Sequence, residues 1–160
     1  MSRYGIGAGL GGAAAVAALV AVGATVAGGG GSDGAITVYK TPTCECCDRW
    51  EQHLREEGFE VESNVKEQRA INEVRREHGI TPELVSCHVA EIEGYAVEGH
   101  VPAADIHRLV EQQPDIAGLA VPGMPIGSPG MEVPGQPDEA FDVMAFNEAG
   151  QTRVFSRHRP

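Results

Sequence analysis

Lysine is almost missing from this chain, occurring only at Lys40 and Lys66, and Lys and Arg together number 12 against 23 Asp and Glu. The resulting formal charge of −11 argues against a nucleic-acid partner, because phosphate binding needs a clustered cationic footprint. No basic patch stands out. Arg3 and Asp33 cancel, so the acidity belongs to residues 35–160. An acidic, lysine-poor surface is what salt-adapted proteins use to stay soluble, which points to a halophilic source; a genome rich in Arg codons gives the same bias. No internal repeat is present.

Charge is also missing from residues 5–31, which are mostly Gly, Ala and Val. That run exceeds the roughly 7 to 15 residues of a signal-peptide core and reaches the ~20 residues of a membrane span, although its glycines lower both hydropathy and helicity. Small residues at Thr25 and Ala27 would permit cleavage. A flexible linker, Gly28-Gly29-Gly30-Gly31-Ser32, then separates the run from the remainder of the chain. Residues 1–34 are therefore expected to be an export signal or membrane anchor with its linker. Residues 35–160 are expected to form one domain, of a size that a single core serves, outside the cytoplasmic membrane in the periplasm or at the cell surface.

Within that domain, residues 35–40 form a β-branched and aromatic strand run, and Thr41-Pro42-Thr43 turns it into a helix over about 46–57, with Trp50 and Leu54 on one face and Gly58 as its stop. Residues 59–64 alternate as a second strand, and 67–78 give a second helix ended by Gly79. An apolar run over 84–92 predicts a third strand, paired across Gly94 with residues 95–98, and 102–112 close with a helix. The order βαβα then ββα predicts an α/β, thioredoxin-like single domain. Pro82 is the candidate for the cis-proline that such folds place before the third strand. Residues 114–137 are too rich in Gly and Pro for a regular helix or a central strand; their apolar content predicts a loop packed onto the domain. A C-terminal hairpin is expected from 141–146 and 152–155.

Cysteine is spent in two places only, Cys44-Glu45-Cys46-Cys47 and Cys87. Cys44 and Cys47 form a Cys-x-x-Cys pair on a strand-to-helix turn, where unpaired N–H groups and the helix dipole favour thiolate. A structural disulfide is the competing reading of that pair in an exported chain; three cysteines within four residues weaken it, because adjacent Cys46 and Cys47 pair poorly and one thiol is surplus. Cys87-His88 falls within the predicted third strand, which would neighbour the first and bring Cys87 to the cluster. Adjacent strand residues face opposite ways, so His88 would share a site with Cys87 only if the strand bent; ligand and structural roles for it are balanced. His100 ends the predicted hairpin and is a further candidate. Met124 and Met131, each preceded by Gly in the loop, are soft donors suited to Cu(I) and rarely to zinc, with core gap-filling as the competing role. His53, His107 and His158 read as surface residues, and His78 as a favourable charge at a helix end.

Thr41-Pro-Thr-Cys-Glu-Cys-Cys-Asp-Arg-Trp50, Ser86-Cys87-His88, Gly99-His100-Val101-Pro102-Ala-Ala-Asp-Ile106 and Pro122-Gly-Met-Pro-Ile-Gly-Ser-Pro-Gly-Met-Glu132 together resemble the CopG-type family of small exported metal-binding proteins associated with copper resistance. The likeness runs over about residues 35–158 with the motifs in order. It implies a thioredoxin-like fold, copper bound through Cys44, Cys46, Cys47 and Cys87, and a redox role on the metal.

Three functions are open to test. The first is copper binding, which sequesters Cu(I) or cycles it between Cu(I) and Cu(II); Cys44, Cys46, Cys47, Cys87, His88, His100, Met124 and Met131 exceed a closed zinc site's four ligands, so more than one thiolate-bridged copper ion fits. A copper exporter or a redox protein would be its partner. The second is a metal-free thiol-disulfide oxidoreductase with Cys44 as nucleophile and Cys47 resolving. The third is a structural zinc or disulfide module.

Overall fold

The computed structural model describes residues 34–160; the expected export or anchor segment lies outside the described residues. The elements run β1 (Ile36–Lys40), α1 (Glu45–Glu56), β2 (Val61–Val65), α2 (Gln68–Glu77), a short 3-10 helix (Pro82–Leu84), β3 (Val89–Ile92), β4 (Tyr95–Glu98), α3 (Ala103–Gln112), β5 (Gly118–Ala120), β6 (Phe141–Phe146) and β7 (Thr152–His158). They build one seven-stranded mixed sheet, ordered β2-β1-β3-β4-β5-β6-β7. This is the α/β, thioredoxin-like architecture expected from the element order.

Parallel pairing of β1 with β2 follows from the helical crossover between them, since only a long connection returns a strand in the same direction. β3 and β4 pair antiparallel across Glu93-Gly94, both at positive φ, as a two-residue hairpin turn requires. Alternation along the strands splits the apolar residues between the two faces. Ile36 and Val38 join Trp50 and Leu54 of α1 and Ile106 and Leu109 of α3 in one core. Val89, Ala96 and Phe146 pack with Ile71 of α2 in the other. Helices thus cover both faces, and the segments meeting at the rim of the sheet are the β1–α1 turn, the approach to β3 and the exit from β4.

Three expectations are corrected. The third strand begins at Val89, not at residue 84: Leu84 closes the 3-10 helix, the Val85 carbonyl accepts from the Gly123 N–H of the loop, and the Ser86 backbone bonds to the Arg75 and Glu98 side chains in place of a strand partner. Pro82 opens that 3-10 helix and does not immediately precede β3. Residues 118–120, placed in the Gly/Pro-rich loop, form β5, a buried strand parallel to β4 and antiparallel to β6. Three residues are too few to leave a periodic signal. Gly118 fits there because a Cβ would stand 2.0 Å from the Ala96 carbonyl oxygen. The terminal hairpin forms as expected, with β7 extending to His158.

The rest of the Gly/Pro-rich segment is a loop packed on the domain. Gly130 lies against the first turn of α1, where Arg49 Nε donates to its carbonyl at 2.9 Å. Among the described residues no helix is long and apolar enough to cross a membrane.

Candidate metal centre

Lys40 ends β1, and Thr41-Pro42-Thr43 turn the chain so that Cys44 occupies the N-cap of α1, with Cys46 and Cys47 in its first turn. No side chain caps this helix, so its free N–H groups and the positive end of its dipole face the cysteines. Cys44 and Cys47 are joined as a disulfide, with Cα atoms 5.3 Å apart, and Cys46 and Cys87 are free thiols.

Cys87 is the hub. Its Sγ lies 3.8 Å from Cys46 Sγ, 3.6 Å from Cys47 Sγ, 3.2 Å from His88 Nδ1 and 3.1 Å from His100 Nε2. Cys46 Sγ is in turn 3.5 Å from Cys44 Sγ. Two overlapping donor groups result, Cys44-Cys46-Cys47-Cys87 and Cys87-His88-His100, each with its ligand atoms within 4.8 Å of one another. The strand-parity objection to His88 disappears because residues 87 and 88 precede β3. Both therefore reach the same place.

The two histidines are set differently. His100 Nδ1 lies 2.8 Å from the Pro129 carbonyl, which only accepts, so Nδ1 carries the proton and Nε2 presents its lone pair toward Cys87. Burial pushes the His100 pKa down. His88 is fully buried, its ring 4.3 Å from Trp50 and 5.1 Å from His100, and its Nε2 has no hydrogen-bond partner among the described residues. Burial first, then coupling to the His100 ring and the positive charges of Arg75 and Lys40, holds its pKa well below the usual histidine range. Neutral imidazole is the metal-binding form. Burial first, then Cys46, pushes the Cys87 thiol up to about 12, so a soft cation would bind by displacing its proton.

Met124 is half-exposed on the loop and Met131 is partly buried; the loop bearing both is fastened to the site through Pro129 and Gly130. Of the remaining histidines, His53 is not a free surface residue: its Nε2 accepts from the Ala103 N–H at 3.2 Å and caps α3. His158 likewise reaches buried Asp105 at 2.7 Å, and His107 stacks on Phe59. His78 stands at the C-cap of α2 as expected and pairs with Glu91 at 2.6 Å.

Sequence reasoning missed the polar supports. Lys40, 6% exposed, pairs with Asp48 and, at 2.7 Å, with Glu51 beneath the first turn of α1. Its one signal was that Lys40 is one of just two lysines and adjoins the cysteine turn. Arg75 and Glu98 form a buried pair behind Cys87; an Arg and a Glu 23 residues apart leave no local mark.

Residues 84–131, which include Cys87, His88 and His100 but not the first cysteine cluster, match the family described as "Protein of unknown function, DUF411". A solved structure described as copper resistance protein copG, form 2, is 41% identical, covers 78% of this chain and 98% of that chain, and superposes with a TM-score of 0.72. A second, described as form 1 of the same protein, is 40% identical with 80% and 99% covered and a TM-score of 0.73. No curated protein matches the chain.

Proposed function

Since this chain belongs to the CopG copper-resistance family, we propose that it is an exported protein that binds copper through Cys44, Cys46, Cys47 and Cys87, with His88 and His100 completing the site. The supporting observation is the convergence of the free Cys46 thiol, a reducible Cys-x-x-Cys pair and two neutral imidazoles on the free thiol of Cys87. Thiolate and imidazole donors suit copper, and thiolates favour Cu(I). Six donors exceed one low-coordinate Cu(I) ion, which supports a thiolate-bridged site of more than one ion. Met124 and Met131 extend the soft donor supply on the overlying loop. The proposal includes residues 1–34 as export signal or anchor, and a copper exporter or redox protein as partner.

The Cys44–Cys47 disulfide favours one other reading, a thiol-disulfide oxidoreductase that needs no metal. Anaerobic Cu(I) titration of the reduced domain, with elemental analysis, separates the two. Copper binding predicts stoichiometric uptake that falls in Cys46→Ser and Cys87→Ser. Uptake of zinc alone, or disulfide-reductase activity lost only in Cys44→Ser with copper uptake unchanged in Cys46→Ser and Cys87→Ser, would overturn it.

A further inference from the structure

Cys87 and His100 are held in register by neither strand nor helix: Cys87 lies in the irregular approach to β3, and His100 just past the end of β4. Their placement must come from other bonds. Arg75 of α2, 4% exposed, meets Glu98, fully buried at the end of β4, in a two-pronged pair, Nε to Oε2 at 3.0 Å and Nη2 to Oε1 at 2.8 Å. The same two groups seize the backbone of Ser86 from both sides. Arg75 Nη2 donates to the Ser86 carbonyl at 3.0 Å, and Glu98 Oε1 accepts from the Ser86 N–H at 2.6 Å. Asn72 Oδ1 fixes the remaining prong of the guanidinium at 3.0 Å.

One bond further on, the Gly99 N–H donates to the His88 carbonyl at 3.0 Å. Ser86 Oγ also donates to the Gly123 carbonyl, and the Gly123 N–H donates to the Val85 carbonyl, which brings the loop in on the same short segment. Cys87 is thus bracketed: Ser86 before it is tied to residue 98, and His88 after it to residue 99. His100 is the next residue along.

We propose that Arg75 and Glu98 are positioning residues that splint the Cys87-His88 segment to the turn carrying His100, from the face of the sheet opposite α1, and so set the distance between sulfur and imidazole. The proposal rests on the copper-site reading above. A buried ion pair is a poor choice for stability alone, since apolar residues of similar volume commonly replace one without loss. What apolar residues do not supply is a pair of directed bonds that hold the N–H and the carbonyl of one residue, Ser86, from two side chains themselves locked together, and Lys does not reproduce the planar fork.

The test compares the wild-type domain with Arg75→Met/Glu98→Leu and Arg75→Lys. Cu(I) affinity is read by competition with a chromophoric chelator on reduced protein, the thiolate charge-transfer spectrum of the Co(II)-loaded protein reports site geometry, and amide hydrogen exchange at Ser86 and Gly99 is followed without metal. The double variant is expected to melt near the wild-type temperature, to lose protection at those amides, to shift the Co(II) spectrum and to bind Cu(I) ~10- to 100-fold more weakly, the range for supporting residues around a metal. Arg75→Lys should fall between. A folded double variant with wild-type affinity, spectrum and exchange overturns the splint. If the double variant fails to fold, Arg75→Lys decides, and wild-type values there overturn it. Absence of copper binding by wild type would instead sink the copper reading, and the exchange measurement would still judge the splint.

Discussion

Gly130→Ala tests whether the Gly/Pro-rich loop is a structural wall of the cysteine-histidine cluster. Gly130 sits at φ +84°, and a Cβ there would stand 2.7 Å from Trp50 N and 2.8 Å from the Cys46 carbonyl oxygen. Both are helix backbone and do not swing aside, so the loop must lift. An alanine in left-handed geometry costs about 1–2 kcal/mol. Lifting the loop weakens the bond from Arg49 Nε, a charged donor whose loss costs ~1.5–3 kcal/mol, and the bond from His100 Nδ1 to Pro129, worth ~1 kcal/mol. Partial retention of both puts the total at about 2–4 kcal/mol, or roughly 6–15 °C in Tm for a domain of this size. Gly135 supplies the control: its φ is +80°, but a Cβ there meets nothing within 4 Å, so Gly135→Ala should show the backbone term alone. Thermal melting gives the difference, and limited proteolysis should cut residues 122–140 faster in Gly130→Ala. Equal shifts in the two variants, with unchanged proteolysis, would refute the reasoning.

Tyr39 donates to Glu91 at 2.8 Å, and this bond, with burial and the charges of Glu91 and Glu77, raises its pKa to about 12. Unfolded tyrosine ionises near 10, so the stabilisation is complete below pH 10 and is lost as pH rises through about 12. Solvent screening of this partly exposed group holds the effect to about 1 kcal/mol. Urea melts should therefore show wild type losing about that much more than Tyr39→Phe between pH 10 and 12; parallel pH profiles would contradict the assignment. Lys40→Met should destabilise by about 2–4 kcal/mol, because it leaves Glu51 buried with only Ser63 and Arg55 as partners. Lys40→Met/Glu51→Leu should recover most of it, as a lower urea midpoint in the single variant that returns in the double at constant m-value.

The local elements were legible because their signals are local. Val, Ile and Tyr alternation marked β1, and Gly58 and Gly79 marked the ends of α1 and α2. The Cys-x-Cys-Cys turn announced a soft-donor site on the end of a helix. β5 escaped because its burial between β4 and β6, not its three residues, makes it a strand. His88 was undecidable while it was assigned to a strand; β3 starts one residue after it, and the parity rule that separated it from Cys87 no longer applies.

By itself, the sequence determined which atoms are available: four sulfurs and two imidazoles in motifs spaced to fall on a strand-helix turn and near a hairpin, within an acidic α/β chain. Only the tertiary structure decided that these six meet in one cluster, that the Pro129 carbonyl meets His100 Nδ1, and that the buried pairs Arg75–Glu98 and Lys40–Glu51 lie next to the segments that carry them. The division has a physical cause. Propensity and periodicity act over a few residues, whereas convergence of residues 44–47, 87–88 and 100 depends on how sheet register aligns three separate segments, and register is set by the whole packed core.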